Sequence, residues 1–142
     1  MQARVRRLGR EVRDGLAHFG DDFPAPSSTA GVYPAIGNIE WTNGFWTGML
    51  WMAYELTGAT AFRQAAASQL PSFAWRLEQD IQVDHHDLGF LYMPSAVAAW
   101  RITGETAPHR MAELKDTHRR SARRPARLPP GSAPRMLERD MA

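Results

Sequence analysis

Apolar residues recur every three or four positions near the start of the chain, with arginines between them. The spaced positions are Val5, Leu8, Val12, Leu16 and Phe19. A repeat of this kind is typical of an amphipathic helix that turns one face toward a core. The pattern therefore predicts a helix over residues 3–19, followed by an extended, proline-containing loop over residues 21–39.

Two further helices follow this loop. Residues 43–56 are apolar on nearly every side, which predicts a buried inner helix, with Thr42 placed to cap its start and Gly58 to end it. Residues 60–79 are apolar on one face and polar on the other, the pattern of an outer helix. The apolar face is formed by Phe62, Ala66, Leu70, Phe73 and Leu77.

The unit then repeats. Gly44-Phe45 returns as Gly89-Phe90, Tyr54 as Trp100, and Thr57-Gly58 as Thr103-Gly104. A repeat of this length indicates stacked helical hairpins. We expect a second inner helix over residues 90–102, in which Pro94 either introduces a kink or occupies the first helical position. The predicted fold class is all-α.

Composition permits a packed domain. The chain has 142 residues, of which 44% are hydrophobic and 10% aromatic, and this is ample for a core. Cysteine is absent, which excludes disulfides and thiolate chemistry. Neither an export signal nor a membrane anchor is apparent, so we expect a cytoplasmic protein without membrane contact.

The basic character of the chain lies at its end. Residues 107–142 carry 9 Lys and Arg against 4 Asp and Glu, whereas residues 1–106 carry 8 against 11. The Arg-rich segment has no recognisable nucleic-acid-binding fold and no interleaved aromatic residues, so we expect no nucleic-acid partner. Residues 115–142 are predicted to be a disordered or frame-shifted tail, and residues 1–114 a partial helical domain.

The candidate chemistry lies between residues 84 and 92, where two imidazoles and two carboxylates stand beside aromatic residues. Carboxyl and imidazole groups are the usual proton donors and acceptors in catalysis, and flat aromatic rings bury the apolar faces of sugars. The segment from Trp41 to Trp46 occupies the equivalent place one repeat earlier. We therefore expect Trp41 and Asp87 to face one cavity that binds a sugar acid.

Structural alternatives stand beside each of these assignments. Asp87 precedes a predicted helix and could serve only as its cap, and Trp41 could belong to the core. His86 could be a structural histidine, while His85 is expected to point away from it. Asp84 fits a turn. No metal site is expected, because this cluster lacks the His-x-x-x-His spacing that places two imidazoles on one helix face.

Three linked motifs resemble the unsaturated glucuronyl hydrolases of glycoside hydrolase family 88. They are WTNGFWTGMLW at 41–51, YELTG at 54–58 and HDLGFLY at 86–92, in the order and spacing of that family. The resemblance, which covers roughly residues 23–106, implies the N-terminal part of an (α/α)6 toroid. An unsaturated rhamnogalacturonyl hydrolase is an alternative, against which the HDLGF string argues.

The resemblance also implies an activity and a site. Members of the family remove a 4,5-unsaturated uronic acid from oligosaccharides that lyases have cut, by hydrating its vinyl-ether double bond without a metal or organic cofactor. Asp87 would be the first of two catalytic aspartates, while His86 and Trp41 would bind the substrate. The second aspartate comes later in the family, and neither Asp116 nor Asp140 stands in a matching context.

Length agrees with an incomplete ring. Six hairpins of about 45 residues need roughly 270, so this chain would supply a lead-in helix and about two hairpins. We therefore expect a fragment from a truncated or frame-shifted gene, whose activity the sequence leaves open. Whether a partner chain supplies the second aspartate separates an active fragment from a non-catalytic module. Its open end would expose apolar helices and favour self-association. The alternative function is a non-catalytic module that binds sugar acids or forms oligomers.

Overall fold

The structure is a computed structural model that describes residues 2–105. Its elements are α1 (Gln2–Phe19), β1 (Phe23–Pro24), β2 (Ala35–Ile36), α2 (Asn43–Thr57), α3 (Thr60–Glu78), α4 (Leu88–Tyr92), a π-helical turn (Met93–Val97) and α5 (Ala98–Thr103). The helix α2 packs against all the other helices and the π-helical turn. The all-α prediction is confirmed for this part of the chain. The expected continuation to residue 114 and the tail at 115–142 lie outside the described residues.

The segment between α1 and α2 is more ordered than the predicted loop. Its strands β1 and β2 pair antiparallel, and the N–H of Ala25 donates to Pro34 O at 2.9 Å. The ribbon closes through Ala30 and Gly31, whose φ angles of 52° and 80° are both positive. Positive φ at two successive positions matches the twist of a short hairpin. This turn therefore allows two short strands to pair in a segment for which the sequence predicted only a loop.

The two inner helices end alike, as the sequence repeat predicts. Gly58 and Gly104 adopt left-handed φ angles of 69° and 72°, and each N–H bonds to the carbonyl four residues earlier at 2.8 Å. The preceding hydroxyls, on Thr57 and Thr103, donate to Ala53 O and Ala99 O. The shared pattern shows that the repeat is structural as well as sequential, and that glycine ends both helices.

The second inner helix is divided. Residues 88–103 are helical throughout, but the turn that contains Pro94 is widened into a π-helical turn. Proline lacks an N–H and its ring crowds the carbonyl four residues earlier, so a regular α-helical turn is unfavourable there. Pro94 therefore interrupts the helix from within and does not start it. The start lies at Leu88, two residues before the predicted one.

The core lies between α2 and its neighbours. Its largest fully buried apolar side chains are Trp51, Tyr92, Phe23, Phe62, Phe73, Leu50, Leu91, Val12 and Val83. The prediction that α2 is buried on every side is wrong for the described residues. Its row Phe45, Met49, Met52 and Leu56 is 42–53% exposed. This row is spaced by four, three and four residues, so it forms one apolar stripe along the helix.

The buried face of α3 also differs from the prediction. It consists of Phe62, Ala66, Gln69, Phe73 and Arg76, whereas Leu70 and Leu77 are only partly buried. Two polar residues thus take places that the pattern assigned to leucines. Gln69 accepts a hydrogen bond from Thr47 of α2 at 2.8 Å through Oε1, whereas its buried Nε2 has no partner among residues 2–105. Over residues 2–105 the helices are too short or too polar to span a bilayer.

Candidate functional site

Trp41 lies two residues before α2, in a turn held by its neighbours. The side-chain amide of Asn43 donates to Gly37 O at 3.0 Å, and Phe45 N–H donates to Thr42 O at 3.0 Å. The predicted cap is wrong, because the Thr42 side chain makes no capping bond and its buried hydroxyl has no partner among residues 2–105. The helix start therefore depends on backbone and Asn43 contacts.

Asp87 stands directly before α4, one residue closer to its helix than Trp41 is to α2. Its carbonyl accepts from Phe90 N–H at 2.8 Å, but its carboxylate makes no capping hydrogen bond. The interpretation of Asp87 as a side-chain cap is therefore wrong. The carboxylate is 23% exposed, so it is partly desolvated and still reachable from solvent.

Two imidazoles flank the Asp87 carboxylate. His86 Nε2 lies 3.3 Å from Oδ1, and His85 Nδ1 lies 3.8 Å from Oδ2. The expectation that His85 points away is wrong, because its Nδ1 also accepts the Asp87 N–H at 3.1 Å. A nitrogen that accepts this bond carries no proton, so the Nε2–H tautomer of His85 fits the geometry. The imidazole of His86 is 92% exposed, which excludes a buried structural role.

The two helix starts are joined by an aromatic cluster of Trp41, Phe45 and Phe90. The ring centroid of Trp41 lies 6.3 Å from that of Phe45 and 6.0 Å from that of Phe90, and those two lie 5.4 Å apart. Such distances are typical of favourable ring pairs. Trp41 is 41% exposed, so it is a surface platform and the interpretation of Trp41 as a core residue is wrong.

A cleft of about 480 Å³ opens beside this cluster. Its walls are Phe45, His86, Gly89, Phe90, Met93 and Pro94. The structure thus brings His86, Phe45 and Phe90 to one cleft, and the Asp87 carboxylate contacts His86. The expectation that Trp41 and Asp87 face one cavity is wrong for this cleft, because neither of them lines it. The arrangement offers apolar ring faces, an exposed imidazole and a carboxylate. This combination suits a ligand with a flat apolar face and hydrogen-bonding groups.

Sequence reasoning missed Arg76. Its side chain is fully buried, and its guanidinium bonds to the segments that precede Trp41 and Asp87. Burial lowers the pKa of Arg76, an effect that nearby Tyr92 and Glu40 oppose. Burial likewise raises the pKa of Tyr92 to about 12. The sequence signal that could have shown its burial was helical spacing. Arg76 lies three residues after Phe73 and seven after Gln69, which places all three on one face of α3.

Metal binding finds no support in the described geometry. Across residues 2–105 no group of three or more His, Asp or Glu side chains is placed to hold a metal ion. Asp116 and Asp140 lie outside the described residues, so the structure places neither of them relative to Asp87.

Comparison with known proteins identifies the relatives, although no family model matches the chain. It is 47% identical over 101 residues to an unsaturated chondroitin disaccharide hydrolase of Streptococcus pneumoniae, an alignment that covers 71% of this chain and 26% of that protein. It is 41% identical over 105 residues to the unsaturated glucuronyl hydrolase of Bacillus sp. (strain GL1), which covers 74% and 28%. The chain spans about a quarter of the length of these curated relatives.

Comparison with solved structures finds the same class of proteins. The structure matches the unsaturated glucuronyl hydrolase of Bacillus sp. GL1 with a TM-score of 0.74 and 37% identity, over 82% of this chain and 31% of that one. It matches a mutant of the Streptococcus agalactiae enzyme complexed with dGlcA-GalNAc6S with a TM-score of 0.78 and 32% identity, over 86% and 33%. The expected fold class, an incomplete part of a helical toroid, is confirmed. The described chain is thus similar, in sequence and in helical fold, to part of the unsaturated glucuronyl hydrolases with which it aligns.

Proposed function

We propose that this chain carries one part of the active site of an enzyme that removes a 4,5-unsaturated uronic acid from an oligosaccharide. The observation that supports this most strongly is the Asp87 carboxylate, which is flanked by two imidazoles, one of which, His86, lines an aromatic cleft. The carboxylate makes no capping hydrogen bond to α4, and it contacts the imidazoles of His85 and His86. Similarity to hydrolases of unsaturated glucuronyl and chondroitin disaccharide substrates supports the same substrate class.

Trp41 and His86 would bind the substrate. An unsaturated uronic acid has a flattened ring, and the exposed face of Trp41 can bury one side of it. The exposed imidazole of His86 can hydrogen-bond to a hydroxyl or to the uronate carboxylate. The remaining aromatic residues of the cluster, Phe45 and Phe90, would exclude water from that face.

The reaction would be a hydration followed by ring opening. A proton is added to C4 of the C4=C5 double bond and the hydroxyl group of water to C5, which forms a hemiketal. The hemiketal opens at the bond between C5 and the ring oxygen, which leaves a ketone at C5 and a hemiacetal at C1. The hemiacetal then collapses to an aldehyde, the C1–O bond to the neighbouring sugar breaks, and the oxygen of that sugar carries away the hydroxyl proton of the hemiacetal. A carboxyl group can donate the proton and a carboxylate can accept one from water, so two aspartates suffice. Asp87 would be one of them. The second is not located among residues 2–105.

A non-catalytic module that binds sugar acids is the second candidate. The short length of the alignment favours this candidate, since the chain spans only 26–28% of the length of the curated relatives. A site divided between this part and the rest of a longer protein could retain Trp41 and His86 contacts without turnover. Binding of an unsaturated disaccharide without loss of its double bond would identify this function.

The test uses the full 142-residue chain. Consumption of an unsaturated chondroitin disaccharide removes the ultraviolet absorbance of its conjugated double bond, which can be followed directly. Asp87→Asn keeps the size of the side chain and removes its proton chemistry, so we expect turnover to fall by about 100-fold or more. Asp84→Asn is the matched control, because Asp84 is exposed in the same loop and should leave turnover unchanged.

Two results would contradict the proposal. Equal turnover by wild type and Asp87→Asn would show that Asp87 does not take part in the reaction. Absence of both turnover and calorimetrically measured disaccharide binding in folded wild-type chain would exclude both candidate functions for this chain. Binding without turnover, weakened by Trp41→Ala, would favour the second candidate.

A further inference from the structure

Arg76 is a cation inside the core. It lies on the buried face of α3 and is 0% exposed. Placing a charge in such a position is costly unless its hydrogen bonds are fully met. The contacts that meet them should therefore reveal why an arginine stands here.

The guanidinium of Arg76 uses all five of its N–H groups. Nη1 donates to Asn38 Oδ1 and Glu40 O, both at 2.9 Å, and Nη2 donates to Ile39 O at 3.4 Å and Gln82 O at 3.3 Å. Nε donates to Ile81 O at 3.2 Å. An arginine has five such donors in a rigid planar fork, so its capacity is saturated.

These acceptors belong to two segments that are distant in sequence. Residues 38–40 end directly before Trp41, and residues 81–82 lie shortly before Asp87. The guanidinium thus stands between the backbones that lead to the two halves of the candidate site. Since carbonyl oxygens are the main acceptors, the contact fixes backbone position and not merely side-chain orientation.

The second segment is held in a costly conformation. Asp80 and Gln82 have positive φ angles of 53° and 49°, which non-glycine residues rarely adopt. Such a turn persists when surrounding contacts determine it. Arg76 supplies two kinds of contact to it, because its carbonyl accepts Ile81 N–H at 2.9 Å while its side chain binds the Ile81 and Gln82 carbonyls.

The first segment is also tied to α3. Asn38 accepts from Arg76 through Oδ1 and donates through Nδ2 to Ser72 Oγ at 2.8 Å. Both bonds are largely shielded from water, since Asn38 is 8% exposed. The segment before Trp41 is therefore fixed to the same helix that positions the segment before Asp87.

We propose that Arg76 is a positioning residue that couples these two segments and thereby sets the spacing between Trp41 and the His86–Asp87 pair. Its effect on a substrate rests on the proposed function. The coupling itself does not, because it is a property of the chain without ligand. The next experiment separates the two.

Hydrogen exchange of the full chain, followed by mass spectrometry without substrate, measures the coupling. In Arg76→Met the amides of residues 37–41 and 79–87 should exchange about tenfold faster or more, while those of α1 and α2 keep their protection. Arg76→Lys should also loosen at least one of the two segments, because a single ammonium cannot reproduce the two-sided fork. Gln69→Leu is the control, since Gln69 is a buried polar residue of the same helix face that bonds to Thr47 and not to these segments.

A second variant keeps the test decisive if Arg76→Met does not fold. Asn38→Ala alters only the first segment and retains the arginine. If the segments are coupled, this change also speeds exchange over residues 79–87. Unchanged exchange there in Asn38→Ala, or a uniform rise across α1, α2 and both segments in the Arg76 variants, would overturn the proposal.

Turnover is a separate readout. Where the wild-type chain consumes the unsaturated disaccharide, Arg76→Lys should lower kcat/KM while α1 and α2 remain protected. If the wild-type chain neither binds nor consumes the disaccharide, the proposed function fails and the exchange result still decides the coupling.

Discussion

Gly44 sets how closely α2 approaches α4. A Cβ atom at this position would overlap the carbonyl oxygens of Phe90 and Leu91 and fall 2.6 Å from Leu91 Cα. Backbone atoms in a packed helix cannot yield as the end of a side chain can, so the helices would have to separate. We expect Gly44→Ala to lower the free energy of unfolding by about 2 kcal/mol or more, measured by urea denaturation.

The control lies at the equivalent position of the second repeat. A Cβ at Gly89 would meet nothing within 4 Å, and the residue is helical. Gly89→Ala should therefore be neutral or stabilise the protein by up to about 1 kcal/mol through helix propensity. Equal destabilisation by both substitutions would mean that close helix contact is not the reason for Gly44.

Single residues differed in how far the sequence revealed them. Trp41, His86 and Asp87 could be named because motif and repeat position placed them at helix starts. In the structure His86 contacts Asp87, and the Trp41 ring lies 6.0 Å from that of Phe90. Arg76 could not be named. Its acceptors are backbone carbonyls from two loops, and no sequence pattern shows which carbonyls need a donor.

At the scale of elements, helix boundaries were largely predictable and helix interiors less so. Gly58 and Gly104 end α2 and α5 because left-handed conformations favour glycine. The π-helical turn at Pro94 was not predicted, since kinking and a new helix start were both consistent with one proline. The buried face of α3 differs from the predicted one by one residue at two places. Gln69 and Arg76 are buried where the sequence pattern predicted the adjacent Leu70 and Leu77.

Tyr92 joins α4 to α3 and gives their contact a pH dependence. Its hydroxyl donates to Phe73 O at 3.2 Å, and burial raises its pKa to about 12. An unfolded tyrosine ionises near pH 10, so between pH 10 and 12 the unfolded state loses a proton that the folded state keeps. Stability is therefore complete below pH 10 and falls above it, by about 1.4 kcal/mol for each pH unit and roughly 3 kcal/mol by pH 12.

Urea denaturation across this pH range measures the effect. Tyr92→Phe removes the ionisable group and should flatten the decline, at the cost of the hydrogen bond to Phe73 below pH 10. Tyr33→Phe is the control, because Tyr33 is an exposed tyrosine and its removal should leave the slope unchanged. A slope in Tyr92→Phe equal to that of wild type would assign the decline to other groups.

At the scale of the whole molecule, the described helices leave the apolar stripe of α2 exposed. Other apolar residues with large exposed fractions include Trp41, Phe90 and Met93. The sequence indicated this, since α2 is apolar on nearly every side and needs more neighbours than two hairpins supply. The extent of the stripe could not be derived, because it depends on how α1 and α4 cover the other faces.

We expect this stripe to drive self-association of the chain. Burial of a methionine side chain contributes about 1.5–3 kcal/mol, so several such residues facing a second copy outweigh the loss of freedom of two small chains. Met52→Glu places a charge in the middle of the stripe and should shift sedimentation velocity profiles from oligomers toward monomer. Ala67→Glu adds the same charge on the exposed face of α3 and should leave the profile unchanged. A monomeric wild-type chain that melts in one sharp transition would contradict this expectation, because a surface so apolar would then be stable in water without a partner.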